Sequence, residues 1–226
     1  MGELAEDGSG HRARLRQRLV DGGPEALLEH ELVEYLLALA IPRRDTKPLA
    51  KQLINAFGGL GALLCADVEA LRRAGLSDGV IGALKITQAS ALRLLKSEVI
   101  NRPVLGSWQS LLDYLHADMA HQAVERVRVL YLNARNMLIR DELAAEGSVD
   151  EAAIHIREVI RRALDLGAVS LILVHNHPSG DPQPSKADID LTRKIAEAGR
   201  HLAIIVHDHI IIGRTGHKSL RSLGLL

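Results

Sequence analysis

VSLILVHNHPSGDPQPSKADIDLTRKI, running from Val169 to Ile195, joins a buried strand, a polar turn and an amphipathic helix. Val169 to Val174 is apolar apart from Ser170. A short run that is apolar on both faces belongs in the middle of a sheet, covered from above and below. His175, Asn176 and His177 come where that strand ends. Pro178 stops it, because proline has no N–H to give to a ladder. A Gly/Pro-rich loop over 179–184 then turns the chain, and Ser185 starts a helix that runs to about Gly199.

The pattern continues on both sides of this stretch. Glu125 to Leu132 (ERVRVLYL) alternates apolar with charged residues and then becomes wholly apolar, as a strand passing from edge to core does. Asn133 to Asn136 reads as a turn and Met137 to Ala145 as the returning strand. Ile156, Val159, Ile160 and Leu164 mark a helix ending at Gly167. Ala203 to Val206 and Ile210 to Ile212 read as further strands, joined by a polar turn at His207, Asp208 and His209. Strands and helices in this order give a mixed α/β sheet with helices over its faces.

Ahead of residue 100 no segment alternates. Helical spacing appears over His11–Val20 and Leu27–Ile41, the latter stopped by Pro42. Thr46 is placed as the N-cap of a helix reaching Phe57, where Gly58-Gly59 ends it. Short helices follow near 60–65 and 67–74. Ser77 then precedes a long helix, Asp78 to Val99. Asn101-Arg102-Pro103 breaks the pattern and sets the expected boundary, an all-α domain over 1–102 and an α/β domain over 103–226. Ser107 caps one further helix, from Trp108 to about Met119.

Composition narrows the function. Apolar residues make up 47% of the 226, enough to fill a core, but aromatic residues only 2%, too few for stacking on single-stranded nucleic acid. Lys+Arg and Asp+Glu both number 28, so no charge excess demands a nucleic-acid or anionic-membrane partner. The single cysteine, Cys65, forms neither an internal disulfide nor a zinc ribbon, which fits a cytoplasmic protein. The start, MGELAEDGSG, is acidic with no apolar run behind it and does not read as a signal peptide. No apolar stretch approaches the ~20 residues that span a bilayer.

The chemistry sits at the end of the buried strand. Residues i and i+2 of an extended chain point to one side, so His175 and His177 converge while Asn176 points away. Asp188, in the first turn of the following helix, can swing back to the two imidazoles. Two histidines and one carboxylate leave the fourth tetrahedral position open, the mark of a catalytic rather than a structural zinc. Water in that position is acidified toward a pKa of ~7. The competing reading makes Ser185-x-x-Asp188 a helix capping box and nothing more.

HxHP, six residues, Ser, two residues, Asp matches the JAMM (MPN-plus) metalloprotease signature without a mismatch. HNHPSGDPQPS, DIDLTRKI and HDHIIIG together closely resemble the RadC family of bacterial proteins. The resemblance covers about 105 to 226, and the helical half is similar to the domain that precedes it in RadC-like chains. It implies a mixed-sheet JAMM/MPN-like domain with cytidine-deaminase-like layering, preceded by a helix-hairpin-helix-like all-α domain. It implies one zinc per chain on His175, His177 and Asp188, with Ser185 stabilising the oxyanion. It also requires a glutamate base from an earlier strand. Glu125 is the choice, on a strand expected beside the His-x-His strand, with Glu142 and Glu146 as alternatives. The activity implied is zinc-dependent peptidase or isopeptidase chemistry on a protein or peptide substrate.

Other features are weighed against these. His207 and His209 allow a second metal site or a role orienting a ligand imidazole. Asn176 and Asp181 are read as turn and hydrogen-bonding residues, not ligands. Arg12, Arg14, Arg16 and Arg18, at spacing two, do not share a helix face. Gly75-Leu76-Ser77-Asp78-Gly79 resembles a helix-hairpin-helix turn, which holds a DNA phosphate on backbone N–H groups, but Asp78 sets a negative charge there. The alternative function is thus a DNA-associated, repair-linked accessory protein with a structural or idle metal site, touching DNA weakly through the helical half. A two-metal phosphoesterase needs more ligands than are present. An exposed strand edge makes a homodimer an open expectation.

Overall fold

The computed structural model describes residues 7–42, 44–100, 102–147 and 154–226. The acidic start over 1–6 and Asn101 at the expected boundary lie outside them. The chain divides into two compact units, Met1–Ala91 and Leu92–Leu226. This division falls inside a helix, because Leu95 and Val99 near that helix's end belong to the core of the second unit.

The first unit is helical throughout its described residues. It holds α1 (Asp7–Gly22), α2 (Glu29–Ala40), α3 (Lys47–Phe57), α4 (Leu60–Cys65), α5 (Val68–Arg73) and the first turns of α6 (Asp78–Ile100). Val33, Leu37, Leu53, Leu63, Leu71 and Leu84 form its core. The expected stop of α3 is present: Gly58, at φ 85°, takes the left-handed conformation and its N–H bonds Ile54 O. Thr46 occupies the N-cap position of α3, yet its hydroxyl makes no capping bond. It donates instead to the buried Glu34 carbonyl at 2.9 Å, tying α3 to α2.

The second unit is a three-layer α/β arrangement. β1 (Arg126–Leu132), β2 (Leu138–Glu146), β3 (Ser170–Asn176), β4 (Ile205–Ile212) and β5 (His217–Ser219) form one sheet in the order β2-β1-β3-β4-β5. β3 is central and buried along its whole length, as its apolar run requires. It pairs antiparallel with β1 and parallel with β4, so the sheet is mixed. The strand beginning after Glu125 therefore lies beside the His-x-His strand, as expected. α7 (Trp108–Met119) covers one face, where Ile172, Val174, Ile210 and Ile212 point. α8 (Ile156–Asp165) and α9 (Lys186–Arg200) cover the other, over Leu171, Leu173 and Val206. Burying each such leucine or isoleucine contributes about 1.5–3 kcal/mol. Ser107 precedes α7 without capping it; its hydroxyl donates to Pro103 O at 3.0 Å.

The polar turn expected at His207–His209 is absent. His207, Asp208 and His209 do not form a turn between two strands; all three lie within the continuous β4. Leu171 pairs with Val206 and the next residue, Ile172, with Asp208, so the ladder skips His207. Such a bulge inverts side-chain alternation beyond it. Val206 faces α8 and α9, but Ile210 and Ile212 face α7. His209 is thereby turned to the same side as its partner in register, Leu173.

Candidate metal centre

The sheet and the first turn of α9 bring His175, His177 and Asp188 together. One ligand atom from each lies within 4.8 Å of the others. His175 is the penultimate residue of β3, and the His177 N–H extends the β3–β4 ladder by bonding Ile212 O at 3.0 Å. Asp188 is held by the capping box at the start of α9. Ser185 N–H donates to Asp188 Oδ2 at 2.7 Å, and Asp188 N–H donates to Ser185 Oγ at 3.1 Å. Capping and ligation are not rivals, since Oδ1 stays 3.3 Å from His175 Nε2. The capping box is present and leaves Asp188 free to serve as a ligand as well.

The separations suit a metal. His175 Nε2 and His177 Nε2 are 2.9 Å apart, and His177 Nε2 is 3.8 Å from Asp188 Oδ2. A tetrahedral centre with ligands at about 2.0–2.2 Å sets neighbouring ligand atoms roughly 3.3–3.6 Å apart. Proton placement points the same way. His177 Nδ1 lies 2.7 Å from the Asp181 carbonyl, which can only accept, so that nitrogen carries the hydrogen and Nε2 is bare. His175 Nδ1 faces His209 Nε2 at 2.8 Å. Two imidazole Nε2 atoms facing each other at hydrogen-bond distance beside a carboxylate require a cation between them, either a proton or a metal.

Burial sharpens the contrast between the histidines. Desolvation pulls His175 down to about 4, against the attraction of Asp188, so its ring is neutral at pH 7 as a ligand must be. His177 moves up, favoured by the nearby Asp188 carboxylate against burial and then by the Asp181 carbonyl. Burial opposes ionisation of Asp188, but the neighbouring His177 and His175 imidazoles and the Ser185 groups outweigh it and hold the carboxyl far below its usual range.

Glu125 immediately precedes β1. Val127 pairs with His175, and continuing that antiparallel register by two residues sets Glu125 opposite His177. Its half-buried carboxyl is raised by desolvation, lowered by His177 and raised by Asp188, so it feels both of those groups. Glu142 instead binds Arg162 on α8, at 2.9 and 2.5 Å, and Glu146 binds Arg126 at 3.1 Å. Ser185 is exposed beside Asp188. Asp181 makes the expected turn, its carboxylate accepting Gln183 N–H at 3.1 Å. Asn176 reaches sideways to β1: it accepts Arg126 N–H at 2.9 Å and donates to Val124 O at 3.2 Å. His207 Nε2 meets Asn136 Oδ1 at 3.1 Å. Asp208 accepts Ser219 Oγ–H at 2.5 Å and Arg221 N–H at 3.0 Å. Neither His207 nor Asp208 joins a second metal cluster among the described residues.

A family model described as the RadC-like JAB domain matches residues 105–225. The chain belongs to the RadC family. A UPF0758 protein of Rhodobacter capsulatus is 49% identical over 213 residues, 94% of this chain and all of that one. A UPF0758 protein of Ruegeria pomeroyi is 49% identical over 217 residues, 96% of this chain and 97% of that one. The RadC domain here is thus a mixed α/β domain preceded by helices, with a His-His-Asp group able to hold a metal ion. No helix among the described residues is long and apolar enough to cross a membrane.

Thr192, 2.6 Å from His209 Nδ1, had no place in the sequence-based expectations, whereas the orienting role weighed for His209 is met by its contact with His175. Thr192 follows Asp188 by four residues, which on a helix is the same face. That spacing was the available signal.

Proposed function

We propose that this RadC-family chain is a zinc-dependent hydrolase of the peptidase or isopeptidase type, acting on amide bonds in a protein or peptide. The observation that supports it most is the convergence of two bare imidazole nitrogens and one carboxylate. Zinc held there supplies Lewis acidity and lowers the pKa of a water toward ~7. Neutral His175 and ionised Asp188 fit a divalent ion without further rearrangement of charge. Glu125, opposite His177 and with its carboxyl raised by burial, is the base. A base whose pKa is raised holds an abstracted proton more firmly and can hand it to a leaving amine. Ser185 stands exposed at the rim, where its hydroxyl can donate to an oxyanion. The preference for amides rests on the resemblance to JAMM proteases.

The DNA-associated reading has less support. At the Gly75–Gly79 hairpin Arg72 is already engaged, by Glu69 at 2.7 Å and by Asp78 at 3.3 Å. A phosphate would have to displace both acids.

The test is cleavage of a peptide and isopeptide library by zinc-loaded protein, read by mass spectrometry. Wild type is expected to cleave a subset. Glu125→Gln is expected to keep zinc and lose roughly 10²–10⁴-fold in rate. Equal cleavage by both proteins would remove Glu125 from the mechanism, and no cleavage by zinc-loaded wild type would contradict the peptidase reading.

A further inference from the structure

Behind the metal centre runs a buried chain of hydrogen bonds that starts on one ligand residue and ends on another. Thr192 Oγ1 donates to the Asp188 carbonyl at 2.5 Å. A hydroxyl has one hydrogen, so towards His209 Nδ1, 2.6 Å away, Thr192 can only accept. His209 therefore carries its hydrogen on Nδ1, and its Nε2 is a lone pair. That lone pair faces His175 Nδ1 at 2.8 Å, so the His175 hydrogen sits on Nδ1. What remains on His175 is a bare Nε2, aimed at the point shared with His177 and Asp188. Each step follows from the one before, and the direction is set at the start by a backbone carbonyl that cannot donate.

The surroundings keep this direction from being scrambled. Thr192 and His209 are each 1% exposed and His175 is 1% exposed, so water does not compete for the rings. The bulge at His207 is what turns His209 to this side of the sheet. Without it, alternation from Val206 would turn His209 to the α7 side of the sheet.

We propose that Thr192 and His209 are positioning residues that fix His175 in the one tautomer able to bind the metal. The proposal rests on the metal-centre reading. The two are separated by what the test measures.

Zinc affinity is measured by competition with a chromophoric chelator for wild type, Thr192→Val and Thr192→Ser. In parallel, the imidazole nitrogens of metal-free protein are followed by ¹⁵N NMR. Valine keeps the shape of threonine but frees His209 to turn its hydrogen to Nε2, which drives the His175 hydrogen onto its metal-facing nitrogen. Wild type is expected to show His175 protonated at Nδ1. Thr192→Val is expected to lose that signature and bind zinc about 10–100-fold more weakly, the usual effect of removing the partner of a ligand imidazole. Thr192→Ser, which keeps the hydroxyl, is expected to restore both. Equal affinities in wild type and Thr192→Val would overturn the relay while leaving the metal centre intact. Equal losses in the valine and serine variants would also overturn it, because packing and not the hydroxyl would then be at work. Wild type with no affinity for zinc would overturn the metal-centre reading and the relay together.

Discussion

Asn176 Oδ1 accepts the Arg126 N–H at 2.9 Å, while its amide donates to Val124 O at 3.2 Å, so one side chain on β3 grips the backbone on both sides of Glu125. Asn176 is 1% exposed, so its amide is held in this arrangement away from water. Removing the amide leaves a donor and an acceptor unpaired at the sheet's end, which costs about 1–3 kcal/mol. Asn176→Ala is expected to lose that much in urea denaturation. Asn176→Asp should lose at least as much at neutral pH, since a carboxylate would face the Val124 carbonyl. A loss below about 0.5 kcal/mol for Asn176→Ala would mean the clamp is not needed.

Gly213 and Gly180 define a second close approach. A Cβ on Gly213 would lie 2.5 Å from Gly180 O and 2.7 Å from Pro182. The Gly180–Pro182 segment also carries the Asp181 carbonyl that binds His177 Nδ1. Gly213→Ala must push this loop outward. The expected result is roughly 10-fold weaker zinc binding with far-UV circular dichroism unchanged, the kind of loss seen when a ligand histidine's partner moves. Wild-type affinity in Gly213→Ala would show that the loop yields without moving His177.

Most of the fold was legible because its signals are local. A six-residue run, apolar apart from Ser170 and followed four residues on by Pro178, reads as a central strand, and His175 and His177 share a side through the period of two. Asp188 was legible from its place in the first helical turn. The position of His209 was not, because the bulge at His207 inverts the alternation on which such readings depend, and nothing in HDH signals a skipped residue. Thr46 and Ser107 sit at cap positions, but their hydroxyls are taken by carbonyls that only tertiary structure brings near. Glu125 was separated from Glu142 and Glu146 by arginines of other elements or strands, Arg162 and Arg126, whose pairing spacing alone does not reveal.

Acid should weaken the helical unit through one identifiable pair. Glu31 is held at about 2, below its ordinary 4.5, chiefly by its hydrogen bond from Arg18 and then by the Leu28 N–H. Because the folded value is depressed, the ionised carboxylate favours the folded state. Its contribution is complete above pH 4.5 and fades as pH falls toward 2. The difference in urea midpoint between wild type and Glu31→Gln is expected to be constant from pH 7 to about 5 and to shrink below that. A difference that grows on acidification would contradict the assignment.

Metal analysis of purified protein bears most directly on the centre itself. Zinc per chain is measured for wild type, His177→Ala and Asp188→Ala after anaerobic purification and exposure to added zinc. One zinc per chain in wild type, lost or strongly reduced in both variants, is the expected result. Wild type without stoichiometric zinc, or variants that retain it, would contradict a metal centre on His175, His177 and Asp188.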